Sequence, residues 1–261
     1  MRLILIVLLG CASIPQDEKT ILAQEVHDEV EVGRNIAAKI LGQLGWDQAH
    51  PELTRYVSLL GHYIANSSSR PEITYHFSIL KSDEVNAFAT PGGFIFVTQG
   101  LLHAVHSEDE LACVLGHEIA HITEKHLYNQ IKPKHTNAVA DTLTRFLSRG
   151  GSSIGASMLT LVHAGLKALL EDGLGKEKEY AADEIGVTIA SAAGYNPQSM
   201  IQLLTRIHKL GKHIGKTHPP YPERIQALEL SMKKNGLRPV SHHHRTQARF
   251  TRAVKTLEVQ E

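Results

Sequence analysis

Cysteine is almost missing from this chain: Cys11 and Cys113 are the only two in 261 residues. Cys11 is spoken for below, which leaves no intramolecular disulfide. Cys113 lies among apolar helix residues and reads as a small buried hydrophobe. An excess of one charge is lacking too. The 27 Lys and Arg balance the 27 Asp and Glu, which removes the electrostatic case for nucleic acid as a partner. There is no repeat array and no Gly-rich phosphate loop. The apolar run at residues 3–9 is too short to span a bilayer. The length suffices for one domain with a real core.

Histidine, in contrast, is plentiful, with 17 copies. Two stand four apart in His117-Glu118-Ile119-Ala120-His121. On a helix, residues at that spacing share a face, so both rings can offer a nitrogen to one metal. Glu118 sits beside them as a proton acceptor, which is the H-E-x-x-H arrangement of zinc peptidases. The surroundings support a helix. Ser107 and Glu110 read as a capping box. Leu111, Val114, Leu115, Ile119 and Ile122 follow at roughly helical spacing, which predicts a helix over 107–127. Gly116 and nearby alanines leave room for a second helix to approach. His126, five residues past His121, is expected to point away from the ligand face.

A catalytic zinc usually takes three protein ligands and keeps a position for water. The third ligand is sought in Lys176-Glu177-Lys178-Glu179-Tyr180-Ala181-Ala182-Asp183, which opens a helix predicted to run to about 193, with Gly194 as its stop. Glu179 and Asp183 are four apart and share a face lined by alanines. Spacing alone leaves a solvated, charged helix start equally open.

These residues resemble a known family. HEIAH followed by EYAAD is similar to the M48 metallopeptidases, the HtpX-like and BepA-like zinc endopeptidases related to the membrane-embedded CAAX prenyl proteases. VNAFATPGGFIFVTQG, from Val85 to Gly100, resembles the segment those proteins carry before the zinc helix. His218-Pro219-Pro220-Tyr221-Pro222-Glu223-Arg224 resembles their late HPPxxxR element. Lys176 stands where many relatives have Arg, a departure that leaves the zinc residues untouched. The resemblance implies an α+β, mostly helical, gluzincin-like domain with a small sheet beside the HEIAH helix. It implies one Zn2+ per chain held by His117, His121 and Glu179, Glu118 as catalytic base, and Asp183 as the carboxylate that orients a zinc-binding histidine. His218 is expected either to stabilise the oxyanion or to close the site as a fourth ligand. Arg224 is the other oxyanion candidate, or the partner of Asp183. Implied partners are unfolded or misassembled envelope proteins. Two rivals stand beside a protease: a zinc-stabilised chaperone or assembly factor for outer-membrane proteins, and a latent protease gated by His218.

Strands are predicted over 73–80 and 94–98, the second after the turn Pro91-Gly92-Gly93. Asn86, Ala87, Phe88 and Ala89 are the candidate edge on which an extended substrate pairs through its backbone. Further helices are predicted over 25–41, 51–65, 197–210 and 220–234. The stretch 138–170, with Gly150-Gly151, reads as two helices whose default is packing on the body, with a lid over the active site or contact with membrane or a partner as the alternatives. At the start, Met1-Arg2 and the apolar run lead into Leu8-Leu9-Gly10-Cys11, which resembles a bacterial lipobox with Cys11 lipidated. Residues 1–10 are then a signal peptide, 11–24 a tether, 25–236 the peptidase domain and 237–261 a tail. The expected location is the periplasmic side of the envelope, anchored by lipid at the outer membrane.

Overall fold

The computed structural model describes residues 16–132, 152–211, 218–240 and 243–260. The signal segment, Cys11 and the Gly150-Gly151 pair lie outside the described residues. The rest is α+β and mostly helical. In order come α1 (Gln16–Leu44), α2 (Pro51–Ala65), β1 (His76–Leu80), β2 (Ala87–Thr90), β3 (Phe94–Thr98), α3 (Gln99–Ala104), α4 (Glu108–Thr123), α5 (His126–Ile131), α6 (Ser152–Lys167), α7 (Lys176–Ala192), α8 (Gln198–Lys209), α9 (Tyr221–Lys234) and α10 (His243–Val254).

The three strands form one sheet in the order β1-β3-β2, with β1 parallel and β2 antiparallel to β3. Alternation along the strands splits the side chains between two faces. Ile79, Ala87, Ala89, Ile95 and Val97 enter the main core under α2 and α4. Leu80, Phe88 and Phe96 enter a second core with Ile36, Ile40 and Leu166 from α1 and α6. A sheet covered on both faces is rigid, and β2 remains its edge beside α4.

Helix α4 starts as its sequence dictates. Ser107 Oγ accepts from the Glu110 amide at 3.2 Å. The Glu110 carboxylate reaches one residue further back than a strict capping box, accepting from the His106 amide at 2.7 Å. All three acids of the first turn are buried and paired. Glu108 receives the hydroxyls of Tyr56 at 2.7 Å and Tyr195 at 2.8 Å, and the guanidinium of Arg249. Asp109 receives the Asn196 amide at 2.9 Å, and Glu110 receives Arg206 at 2.8 Å. Negative charge here also complements the helix dipole. At the other end, buried Glu29 of α1 accepts from Arg70 at 3.0 Å and from the Gly92 amide at 3.2 Å, and Arg70 also reaches the Ile122 carbonyl. The helix is therefore pinned at both termini.

The structure departs from the sequence reading in four places. α1 extends back to Gln16, so most of the expected tether is helical; no proline or glycine interrupts residues 16–32. β1 begins at His76 rather than at residue 73. α4 stops at Thr123, because Lys125 takes a left-handed conformation with φ of 51° and starts α5 in a new direction. The expected tail carries α10, whose Phe250, with Leu257 beyond it, is buried in the main core.

Candidate active site

Helices α4 and α7 cross in backbone contact. A Cβ on Gly116 would lie 2.4 Å from the Gly186 carbonyl oxygen, closer than any side chain tolerates. This approach brings the first two turns of α7 against the HEIAH face. The Nε2 atoms of His117 and His121 lie 3.0 Å apart. Glu179 Oε2 is 3.6 Å from His117 Nε2, and its Oε1 is 3.5 Å from His121 Nε2. His218, just before α9, brings Nδ1 to 3.4 Å from Glu179 Oε2. One donor atom each from His117, Glu179 and His218 lie within 4.8 Å of one another. Glu179 Oε2 is buried without a hydrogen bond while ring nitrogens close on it. Imidazoles and a carboxylate around an orphaned buried oxygen are the donor set of a divalent cation such as zinc.

Behind His117 stands a charged pair. Asp183 Oδ1 is 2.9 Å from His117 Nδ1, an ion-pair contact with the ring turned off a straight hydrogen bond. Asp183 is gripped by Arg224 in two bonds, Nε to Oδ2 at 2.8 Å and Nη2 to Oδ1 at 2.7 Å. Both side chains are 1% exposed. Of the two expected roles for Arg224, the geometry provides the pairing with Asp183.

The electrostatics of these side chains follow from burial and their mutual contacts. Burial disfavours a charged His117, yet the carboxylates of Asp183 and Glu179 overcome it and push its pKa up to about 10. Burial likewise opposes ionisation of Glu179 and Asp183. The surrounding histidines hold the first well below the usual carboxylate range, and Arg224 with His117 so holds the second. His121 is buried and lies well below the ordinary histidine value. Burial takes His218 down to about 4. Glu118 is raised to about 7, by burial first, with the His117 charge pulling the other way.

Glu118, His121, Glu179 and His218 line one narrow cleft. One wall is Ala87, Phe88 and Ala89 of β2; the other is a strap comprising Ala168, Leu169, Gly173 and Leu174. The strap follows α6 through a π-turn at Ala168–Asp172 and is tied to α5 by Gln130, which donates to the Gly173 carbonyl at 3.1 Å. Asn86 is not on the cleft wall. Its amide donates to Thr98 Oγ1, its carbonyl accepts from the Thr98 amide, and its Oδ1 accepts from the Ala87 amide at 2.9 Å. It closes the β2–β3 hairpin from inside.

His126 is the second correction at the site. Helical projection turns it away, but the left-handed Lys125 resets the chain direction, and His126 Nδ1 lies 3.0 Å from His121 Nδ1. Burial, and then the nearby Lys178 ammonium, bring its pKa down to about 4. Gly186 and the strap residues Gly173 and Leu174 are further parts that the sequence reading missed. A lone glycine inside the α7 pattern was the readable signal for the first.

Comparison with known proteins adds an independent line. The model described as Peptidase family M48 matches residues 51–231, well over half of the chain. The chain is 27% identical over 200 residues to the beta-barrel assembly-enhancing protease of Escherichia coli O157:H7, covering 73% of this chain and 40% of that protein. It is 29% identical over 187 residues to the putative beta-barrel assembly-enhancing protease of Vibrio cholerae, covering 67% and 38%. It is 31% identical over 186 residues to the mitochondrial metalloendopeptidase OMA1 of Schizosaccharomyces pombe, covering 69% and 53%. The match thus spans about half, or less, of the length of these relatives.

Proposed function

The chain belongs to peptidase family M48, and on that premise we propose that it is a zinc-dependent endopeptidase acting on unfolded or misassembled proteins of the bacterial cell envelope. The observation that carries the reading is the convergence of His117 and His121 with the unpartnered oxygen of Glu179, next to Glu118 on an open cleft.

In this reading His117, His121 and Glu179 hold the ion. Zinc, when bound, supplies a Lewis acid that acidifies water and polarises a carbonyl. Glu118 takes the proton from the attacking water and gives it to the leaving amine, a task its place on the cleft beside His117 and His121 suits. Asp183 keeps His117 oriented, and Arg224 neutralises Asp183 so that the buried carboxylate is tolerated.

Substrate binding is assigned to β2. The Thr98 amide bonds the Asn86 carbonyl, which makes Asn86 and Thr98 a bonded pair. Antiparallel alternation then turns Phe88 toward β3, and Ala87 and Ala89 outward. With the Ala87 amide held by Asn86, the outward groups are the Ala87 carbonyl and both polar groups of Ala89. An extended peptide can add a strand there.

For location we retain the lipobox reading, with Cys11 lipidated and the domain facing the periplasm. Two of the relatives are named for beta-barrel assembly, which supports an envelope role. No helix among the described residues is long and apolar enough to cross a membrane.

Casein cleavage tests the proposal. The wild type should cleave and stop on chelation, and Glu118→Gln should retain zinc without cleaving. Cleavage by Glu118→Gln at the wild-type rate overturns the assignment. Client binding that prevents aggregation without any cleavage by the wild type would favour the assembly-factor rival. A second reading, a latent protease, is favoured by the 3.4 Å approach of His218 to Glu179. Loss of His218 raises activity if it is a latch and lowers it if it stabilises the oxyanion.

A further inference from the structure

We infer that His126 is a positioning residue that accepts the Nδ1 hydrogen of His121 and so fixes the ring that offers Nε2 to the metal. The inference rests on the metal reading above. His126 and His121 approach Nδ1 to Nδ1 at 3.0 Å, with ring centroids 5.0 Å apart and planes at 72°. A neutral imidazole that gives Nε2 to a cation carries its proton on Nδ1. The nitrogen facing that proton must be an acceptor, so His126 is neutral with its own proton on Nε2.

The backbone that carries the His126 ring is itself held. It is 8% exposed, and it starts α5 directly after the left-handed Lys125. Lys178 of α7 reaches the His126 carbonyl at 3.4 Å and Gln130 Oε1 at 2.5 Å. Ligating histidines nearly always have such a partner for the second nitrogen, usually a carboxylate, a carbonyl or water. Here the two rings differ. His117 is backed by the Asp183 anion, whereas His121 is backed by an uncharged ring. A second carboxylate behind His121 would add another buried negative charge beside Glu179 and Asp183.

Two substitutions separate hydrogen bonding from packing. His126→Phe keeps the ring and removes the acceptor. His126→Asn loses the ring and keeps an acceptor oxygen close to the Nδ1 position. Zinc affinity is measured by competition with a chromophoric chelator, with casein cleavage in parallel. His126→Phe should weaken zinc binding by about 10–100-fold, the range for lost partners of ligating histidines. His126→Asn should recover most of that affinity. Unchanged zinc affinity in the Phe variant, or equal loss in both variants, overturns the inference. A wild-type chain that binds no zinc overturns the metal reading itself, which is a different result.

Discussion

Gly186 lies against the backbone of His117 so closely that a Cβ on the glycine would stand 2.6 Å from the histidine Cα and 2.6 Å from its amide nitrogen. The carboxylates of α7 reach the histidines of α4 because a methyl group is missing at this crossing. Gly186→Ala should therefore push the helices apart. Overpacking of this kind costs about 1–3 kcal/mol. Thermal unfolding of the metal-free protein should shift down by several degrees, and zinc affinity should fall with it. An alanine variant that melts and binds zinc like the wild type would show that the crossing is looser than described.

Asp183→Asn should be worse. Arg224 would keep its charge in a fully buried position and lose its counter-charge. Breaking a buried pair from one side costs about 3–5 kcal/mol. His117 would also lose its anionic support, so zinc affinity should drop by about 10–100-fold. Denaturant unfolding and chelator competition check the two effects separately.

The metal-free protein should be most stable near pH 6.5. Burial holds His126 and His218 at about 4, below the ordinary histidine value near 6.5. Between those pH values the unfolded chain binds more protons, so stability rises with pH. Glu118, raised to about 7, opposes this between about 4.5 and 7, one group against the two histidines. His117, raised to about 10, also acts in the opposite sense. Its contribution is complete below about 6.5 and is lost as pH climbs through 10. Melting temperatures in chelator from pH 4 to 10 should trace a dome; a flat profile would contradict the described charge arrangement. Zinc at about 100 times its dissociation constant should add about 2.7 kcal/mol at neutral pH.

Ala89→Pro probes the edge of β2. Ala89 opposes Ile95 in a non-bonded pair, so proline there removes an outward donor and spares the ladder to β3. Casein cleavage should fall at least about tenfold, chiefly through KM, with zinc affinity unchanged. Full activity would move the substrate to another surface.

Much of this architecture is legible locally. Pro51 starts α2 where the sequence puts it, Ser107 caps α4, and Gly194 follows the end of α7. Each depends on a neighbour in the chain, so the signal sits in a few adjacent letters. His126 was unreadable for the opposite reason. Its direction depends on one left-handed lysine, a residue type that carries no turn signal. Ala168 and Leu169 of the strap fall at the end of the stretch 138–170 that the sequence offers as a cover, whereas Gly173 and Leu174 were hidden, since their contact with the cleft is set by packing and by Gln130. α10 left a usable trace: Phe250, Val254 and Leu257 recur at helical spacing in a segment taken for a tail.

If β2 is the substrate edge, the wall formed by Ala87, Phe88 and Ala89 meets a visitor chiefly through the outward main-chain groups of Ala87 and Ala89. Pairing through main-chain groups depends little on side-chain order. A polypeptide seated on it must first release its amides and carbonyls from whatever partners they already have. A well-folded neighbour would keep them and pass by, whereas a chain that has lost or never gained its own pairing would be captured. On that reading, discrimination in the groove would follow the conformational equilibrium of the visitor.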